Sequence, residues 1–226
     1  MDGSHLRVQD TDENFEHFGK PGGRGGSGDA GYPQTRLAVL MNLRSRMLAD
    51  ARFGPFGTGE LTLARQMVET IPDDSLTILD RGFYAFSLFA EIVGNGTNRH
   101  VMVRLKANAK FEGIEMLPDG SALVRMRPSS NARSKHPDLP AFIEGRVIAY
   151  QHEGGPVARL FVTLTDWETF PAKELVELYH ERWELEVGYD ELKTHMLERV
   201  ECLRSLSPQN VSQDRKSTRP NSSHVA

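Results

Sequence analysis

The sequence predicts an α/β fold: a mixed sheet with helices, interrupted by an all-β insertion ahead of one last helix. Three observations carry that expectation. Apolar strand-like runs alternate with helix-like segments from the start of the chain to residue 108. Two hairpins then follow with no helical pattern between them, and a long helical pattern comes after the hairpins. Alternating strands and helices favour a layered α/β arrangement, and 226 residues suit one domain with a sizeable insertion.

The elements follow in order. "HLRVQD" alternates in polarity and predicts a short strand. The "DTDEN" cluster at 10–14 lacks the glycine and distal glutamate of a calcium loop and is expected to be a solvated turn. Residues 18–32, "FGKPGGRGGSGDAGY", hold seven glycines and predict a flexible loop. "RLAVLMNL" is nearly continuous in apolar character, as in a strand covered on both faces, and "RMLADARFG" is its expected partner. "TGELTLARQMVETI" predicts a helix with Thr58 available as its cap.

"SLTILDRGF" predicts a strand ending in Asp80, "FSLFAEIVGNG" a short helix stopped by glycine, and "HVMVRLKAN" another strand. "IEMLPDGSALVRMR" reads as a hairpin turning at Asp119-Gly120, and "GRVIAYQHEGGPVARLFVTLT" as a second turning at Gly154-Gly155. From Phe170, "FPAKELVELYHERWELEVGYDELKTHML" predicts one long helix that tolerates Pro171 in its first turn. The expected divisions are a first core part at 1–108, a β-rich insertion at 109–169, a helical core part at 170–213 and a tail at 214–226.

Composition narrows the function classes. Hydrophobic content of 38% and 26% charged residues are ordinary for a globular protein. There is no run of about 18 apolar residues, so no membrane partner is expected. Cys202 is the sole cysteine, which excludes an intrachain disulfide and fits a reducing compartment. The eight histidines show no zinc-ligand spacing. A formal charge of −4 gives no global nucleic-acid signature. The one basic concentration is "RMRPSSNARSKH", with Arg125, Arg127, Arg133 and Lys135; it is either a solvated loop or a DNA-tracking surface.

The last helix carries the most information. At 3.6 residues per turn, Tyr179, Arg182, Glu186 and Lys193 fall on one narrow stripe. Leu178, Leu185, Tyr189, Leu192 and Met196 form a neighbouring apolar arc, and Glu177, Glu181, Glu184 and Glu191 face the opposite way. An ordinary i,i+4 surface pair between Arg182 and Glu186 would produce much of this pattern. Trp167 and Trp183 are expected to be packing residues.

The spacing Tyr179-x2-Arg182-x3-Glu186-x6-Lys193 resembles the signature of insertion-sequence transposases of the DDE class, in the branch marked by Tyr, Arg, Glu and Lys. "LDRGFY" resembles the strand end carrying that family's second aspartate, which maps to Asp80. "DGSHLRVQDTDEN" resembles the block around the first, which maps to Asp2, and "LRSLSPQNVSQ" resembles the segment after the signature helix. The resemblance spans about residues 1–213. Taken singly, a strand-end aspartate such as Asp80 more often caps a turn, and Asp2 would be read as a disordered terminus.

The resemblance implies a ribonuclease-H-like fold in which Asp2, Asp80 and Glu186 converge as catalytic carboxylates. They would hold two Mg²⁺ ions, replaceable by Mn²⁺. It implies DNA as partner, with Arg182 and Lys193 on phosphates and Tyr179 stacking on a base or bonding a phosphate. It also implies a homodimer on paired transposon ends and a bacterial cytoplasmic, nucleoid-associated location. The implied function is metal-dependent DNA cleavage and strand transfer in cut-and-paste transposition. A ribonuclease-H-like nuclease without strand transfer and an inactive DNA-binding relic are the rivals.

Both ends look cut by comparison with that pattern. "DRKSTRPNSSH" is similar to a translated sequencing adapter, DRKSTRLNSSH, differing at Pro220, so residues 214–226 are expected to have no fold. The strand expected ahead of the first aspartate does not precede Asp2, which predicts an inactive and poorly stable fragment.

Overall fold

The computed structural model describes residues 1–21, 31–151, 155–182, 202–203 and 205–211. The strands are β1 (Asp2–Val8), β2 (Gln34–Met41), β3 (Leu48–Pro55), β4 (Ser75–Leu79), β5 (Arg99–Arg104), β6 (Glu112–Met116), β7 (Ala122–Met126), β8 (Ile143–Tyr150), β9 (Ala158–Val162) and β10 (Cys202–Leu203). The helices are α1 (Asp12–Phe18), α2 (Glu60–Arg65), α3 (Phe86–Gly94), α4 (Ser130–Lys135) and α5 (Ala172–Glu181). The chain is thus mixed α/β, as expected.

Two compact units divide it. One comprises Met1–Asp2, Ala38–Arg52 and Glu60–Glu186; the other comprises Gly3–Leu37, Phe53–Gly59 and Val187–Ala226. The first unit contains a six-stranded sheet of order β4-β5-β9-β8-β7-β6. β4 and β5 run parallel, Ser75 opposite Arg99 through Leu79 opposite Val103, joined across α3. β5 then pairs antiparallel with β9, Met102 opposite Val162, so both hairpins extend the sheet that the βαβ unit begins. The hairpin turn at Asp119-Gly120 forms as expected, with Gly120 at φ +82°, a conformation that favours glycine.

Strand alternation puts different side chains on the two faces of this sheet. Leu79, Val101, Val103 and Phe161 pack with Leu63, Met67, Phe83, Leu88, Phe89 and Ile92 from the α2 and α3 side. Ile78, Met102, Ile148, Leu160 and Val162 pack with Ala172, Leu175 and Tyr179 of α5. Helices on both faces explain why these strands read as continuous apolar runs. β6 is the outer strand of the sheet and is exposed along all five residues, with a register shift between Gly113 and Glu115.

In the second unit Val8, Phe18 and Val211 form a small core. The four-stranded sheet has the order β10-β1-β2-β3, so the strands predicted from "RLAVLMNL" and "RMLADARFG" do pair. The "DTDEN" stretch is not a solvated turn. Thr11 caps α1, its hydroxyl accepting from the Asn14 N–H at 3.2 Å, and Asp12 and Glu13 sit in the first turn where the helix dipole favours acids. Asn14 is fully buried, its amide donating to the carbonyls of Gln9 (3.1 Å) and Ser205 (3.0 Å).

Candidate active site

The site begins where two strand ends meet in the first unit. β4 is short and apolar, and the backbone leaves it at Asp80, whose carboxylate accepts from the Gly82 N–H at 3.2 Å and caps a 3₁₀ turn over Arg81–Phe83. The capping role that a strand-end aspartate usually plays is therefore present, on Oδ2. Asp2 opens β1, and the adjacent Met1 nitrogen donates to the Ile78 carbonyl of β4 at 2.6 Å. That bond sets Asp2 beside the end of β4.

α5 supplies the third member. Its buried residues are Ala172, Leu175 and Tyr179, and Arg182 follows at 4% exposure. These positions fall three or four apart, so they share one face by helical geometry. The expected assignment of faces is corrected here. The stripe of Tyr179 and Arg182 was placed beside the apolar arc, yet it is itself the buried face, continuing the line of Ala172 and Leu175. Leu178 is only partly buried.

The Arg182 guanidinium reaches both aspartates. Nη1 lies 3.7 Å from Asp2 Oδ2, and Nη2 lies 3.5 Å from Asp80 Oδ1. Its central carbon stands 5.6 Å from the Tyr179 ring centroid, a cation–π distance. Tyr179 is 1% exposed, and its ring packs against Tyr150 at 6.5 Å. Burial pushes the Tyr179 phenol up, against the opposing pull of the Arg182 charge. Tyr179 and Arg182 are both buried, at 1% and 4% exposure. Glu186 and Lys193 lie outside the described residues.

A second polar centre, unforeseen in the sequence, anchors α5. Arg146 of β8 has a side chain with no exposure. Its Nε donates to the Leu164 carbonyl (2.7 Å), Nη2 to the Phe170 carbonyl (2.6 Å) and Nη1 to Asp119 Oδ2 (3.0 Å). The same Asp119 oxygen accepts from the Ala172 N–H at 3.0 Å, at the first residue of α5, while Oδ1 accepts from the Ser121 hydroxyl and N–H. Burial works against the Asp119 charge but is outweighed by the Ser121 and Ala172 hydrogen bonds and the Arg146 charge, so its carboxyl titrates below the ordinary aspartate range. Asp119 had been legible only as a turn residue. A partnership between a turn and a strand 27 residues further on leaves no mark in local spacing.

The basic stretch is largely occupied. Arg125 pairs with Glu144 at 3.4 Å and covers the Phe142 ring at 4.6 Å. Arg127 bonds Glu112 through Nε (3.0 Å) and Nη2 (2.7 Å). Arg133 donates to the carbonyls of Pro137, Leu139 and Pro140, and Lys135 is exposed in the last turn of α4.

Divalent-metal chemistry fits the pair of aspartates. Two carboxylates, a hard donor type that suits divalent ions, face one cation, the Arg182 guanidinium. No group of three His, Cys, Asp or Glu side chains is assembled among the described residues.

A mixed sheet flanked by helices, with one aspartate just past β4 and another opening β1, is consistent with a ribonuclease-H-like phosphoryl-transfer enzyme. Comparison with known proteins makes the family explicit. A family model described as Transposase DDE domain matches residues 1–210. The transposase InsG for insertion sequence element IS4 of Escherichia coli (strain K12) is 36% identical over 214 residues, 95% of this chain and 48% of that protein. A putative transposase, InsZ, of the same organism is 36% identical over 116 residues, 51% of this chain and 38% of the relative. A putative transposase for insertion sequence element IS4SA of Synechocystis sp. (strain ATCC 27184 / PCC 6803 / Kazusa) is 24% identical over 145 residues, 62% of this chain and 38% of the relative. The chain belongs to the transposase DDE domain family, a class of phosphoryl-transfer enzymes that act on DNA and generally use divalent metals. It spans about half the length of InsG.

Proposed function

We propose that this chain is the catalytic core of an insertion-sequence transposase that cleaves DNA at transposon ends and joins the freed strand to a target, moving the element by cut and paste. The observation that carries the reading is the meeting of Asp2 and Asp80, 78 positions apart in sequence, on one buried guanidinium. Asp2, Asp80 and Glu186 are the proposed metal-binding carboxylates. Two Mg²⁺ ions, or Mn²⁺ in their place, would be held there and supply activation of the attacking oxygen and charge stabilisation at the leaving oxygen.

The chain's own residues orient the substrate around that centre. Water is the first nucleophile at the transposon end, and the resulting 3′-hydroxyl is the second. The tyrosine, arginine, glutamate and lysine signature branch is part of this reading, with Lys193 on a DNA phosphate. Arg125, Arg127, Arg133 and Lys135 form a weak tracking surface, because three of them are already engaged within the chain. Synapsis of two ends by a homodimer, in a bacterial cytoplasm at the nucleoid, completes the proposal.

The test uses the full-length protein, labelled transposon ends and Mg²⁺. Joined products support transposition, whereas cleavage without joining supports a ribonuclease-H-like nuclease. Glu186→Gln and Asp80→Asn are expected to abolish both products. Activity surviving in Glu186→Gln removes the role assigned to Glu186.

A further inference from the structure

We infer that Arg182 is a positioning residue that serves as the internal counter-cation of the Asp2–Asp80 pair and competes with divalent ions for those two carboxylates. The inference rests on reading Asp2 and Asp80 as metal-binding residues, and its test separates the two claims.

Three features of the geometry point to it. First, the guanidinium reaches two carboxylates at once rather than facing Asp2 or Asp80 alone. It splits, one terminal nitrogen facing Asp2 and the other facing Asp80. Second, at 3.7 and 3.5 Å the contacts are longer than charge-assisted hydrogen bonds, which run about 2.7–2.9 Å, so attraction between charges dominates over directed bonding. Third, the cation is seated: its side chain is 5% exposed, and the Tyr179 ring lies 5.6 Å from it.

The physical need is plain. Two carboxylates brought to one place repel each other unless a positive charge intervenes. Arginine cannot lose its proton in a protein, so the compensation it gives does not depend on pH. A divalent ion wants the same oxygens at about 2.0–2.1 Å. The side chains of Asp2 and Asp80 are 12% and 38% exposed, so the approach runs from the Asp80 side.

The consequence is an exchange of cations. Arg182 holds the carboxylates together in metal-free protein and gives them up, at an energetic cost, when divalent ions bind. A residue that only shaped the pocket would behave oppositely, because its loss would disorganise the site and weaken metal binding.

The experiment titrates Mn²⁺ alone into full-length wild type, Arg182→Gln, Arg182→Lys and Asp80→Asn, following free Mn²⁺ by electron paramagnetic resonance. Melting midpoints are read in EDTA and in saturating Mn²⁺. Arg182→Gln is expected to melt lower than wild type in EDTA, to bind Mn²⁺ about tenfold more tightly and to gain more in melting point from the metal. Arg182→Lys, a compact charge that cannot span both carboxylates, is expected between the two and serves if the glutamine variant fails to fold. Mn²⁺ binding lost in Asp80→Asn but unchanged or weakened in both Arg182 variants overturns the inference alone. Binding that survives undiminished in Asp80→Asn overturns the metal reading, and the inference with it.

Discussion

Replacing Arg146 by methionine tests whether the start of α5 is held to the six-stranded sheet by a buried ionic junction. Methionine keeps much of the side-chain volume and removes the charge and its donors. In the native fold those donors serve the Leu164 and Phe170 carbonyls and Asp119, all within 3.0 Å. Loss of one partner from a buried ion pair costs about 3–5 kcal/mol, since the remaining charge stays desolvated without its counterpart. The Asp119 carboxylate keeps its Ser121 and Ala172 donors, which places the expected cost toward the lower part of that range. At about 2–4 °C per kcal/mol for a chain of this size, the melting midpoint falls by roughly 6–20 °C. Arg146→Met combined with Asp119→Asn is expected to recover part of the loss, because removing both charges leaves nothing uncompensated. Urea titrations of the two single variants and the double variant measure the coupling. A cost below about 1 kcal/mol for Arg146→Met, or strict additivity in the cycle, refutes the reasoning.

The remaining predictions concern packing, pH and DNA. A Cβ on Gly145 would stand 2.5 Å from the Val162 carbonyl oxygen and 2.7 Å from the Phe161 ring, so Gly145→Ala is expected to cost about 1–3 kcal/mol by overpacking. Gly113→Ala, with nothing within 4 Å, should stay within about 0.5 kcal/mol, and equal urea midpoints for the two would contradict this. Asp119 and Asp50 both titrate below the ordinary aspartate range. At Asp50, burial opposes the charge but is outweighed by hydrogen bonds from Arg52, Thr70 and the Ala51 N–H. The unfolded chain therefore binds more protons than the folded one on the acid side. The stability these groups contribute is complete above the unfolded value of about 3.9 and is lost as pH falls through their folded values. A urea-midpoint series across that limb, flattened in Asp119→Asn, checks it. Neutralising Arg125, Arg127, Arg133 and Lys135 in the full-length protein is expected to weaken DNA binding and reduce its salt slope by less than the roughly 0.9 per contact that four free cations would give. An unchanged slope removes these residues from the DNA path.

Strands were the most legible part of the fold, for a physical reason. Continuous apolar runs such as those of β4, β5 and β9 are what a sheet covered on both faces requires, and the first hairpin announced its turn through Gly120, whereas Gly154 of the second lies outside the described residues. α1 was missed because acids and Asn14 suggest solvent. The usable signal was Thr11 ahead of two acids, a helix start, with Phe15 and Phe18 three apart. On α5 the periodicity was right but its origin was set too far along the chain. Ala172 and Leu175 define the buried line, and Tyr179 and Arg182 lie on its continuation. The contacts of Arg182 with Asp2 and Asp80, and the Arg146 junction, were not legible. Both depend on which strands become neighbours, and that information is spread over the whole chain.

The bare flank of β6 sets a limit on how this protein behaves when crowded. Among the described residues no strand pairs with its outer side, and Ile114 and Met116 add apolar surface at 43% and 69% exposure. Such a margin invites a second extended chain to zip alongside it. Protection comes from the misregister between Gly113 and Glu115, which interrupts the straight run a newcomer would need, and from the Glu115 carboxylate. Salt screens the second safeguard and leaves the first intact, so self-pairing along this margin should grow with ionic strength and protein concentration together.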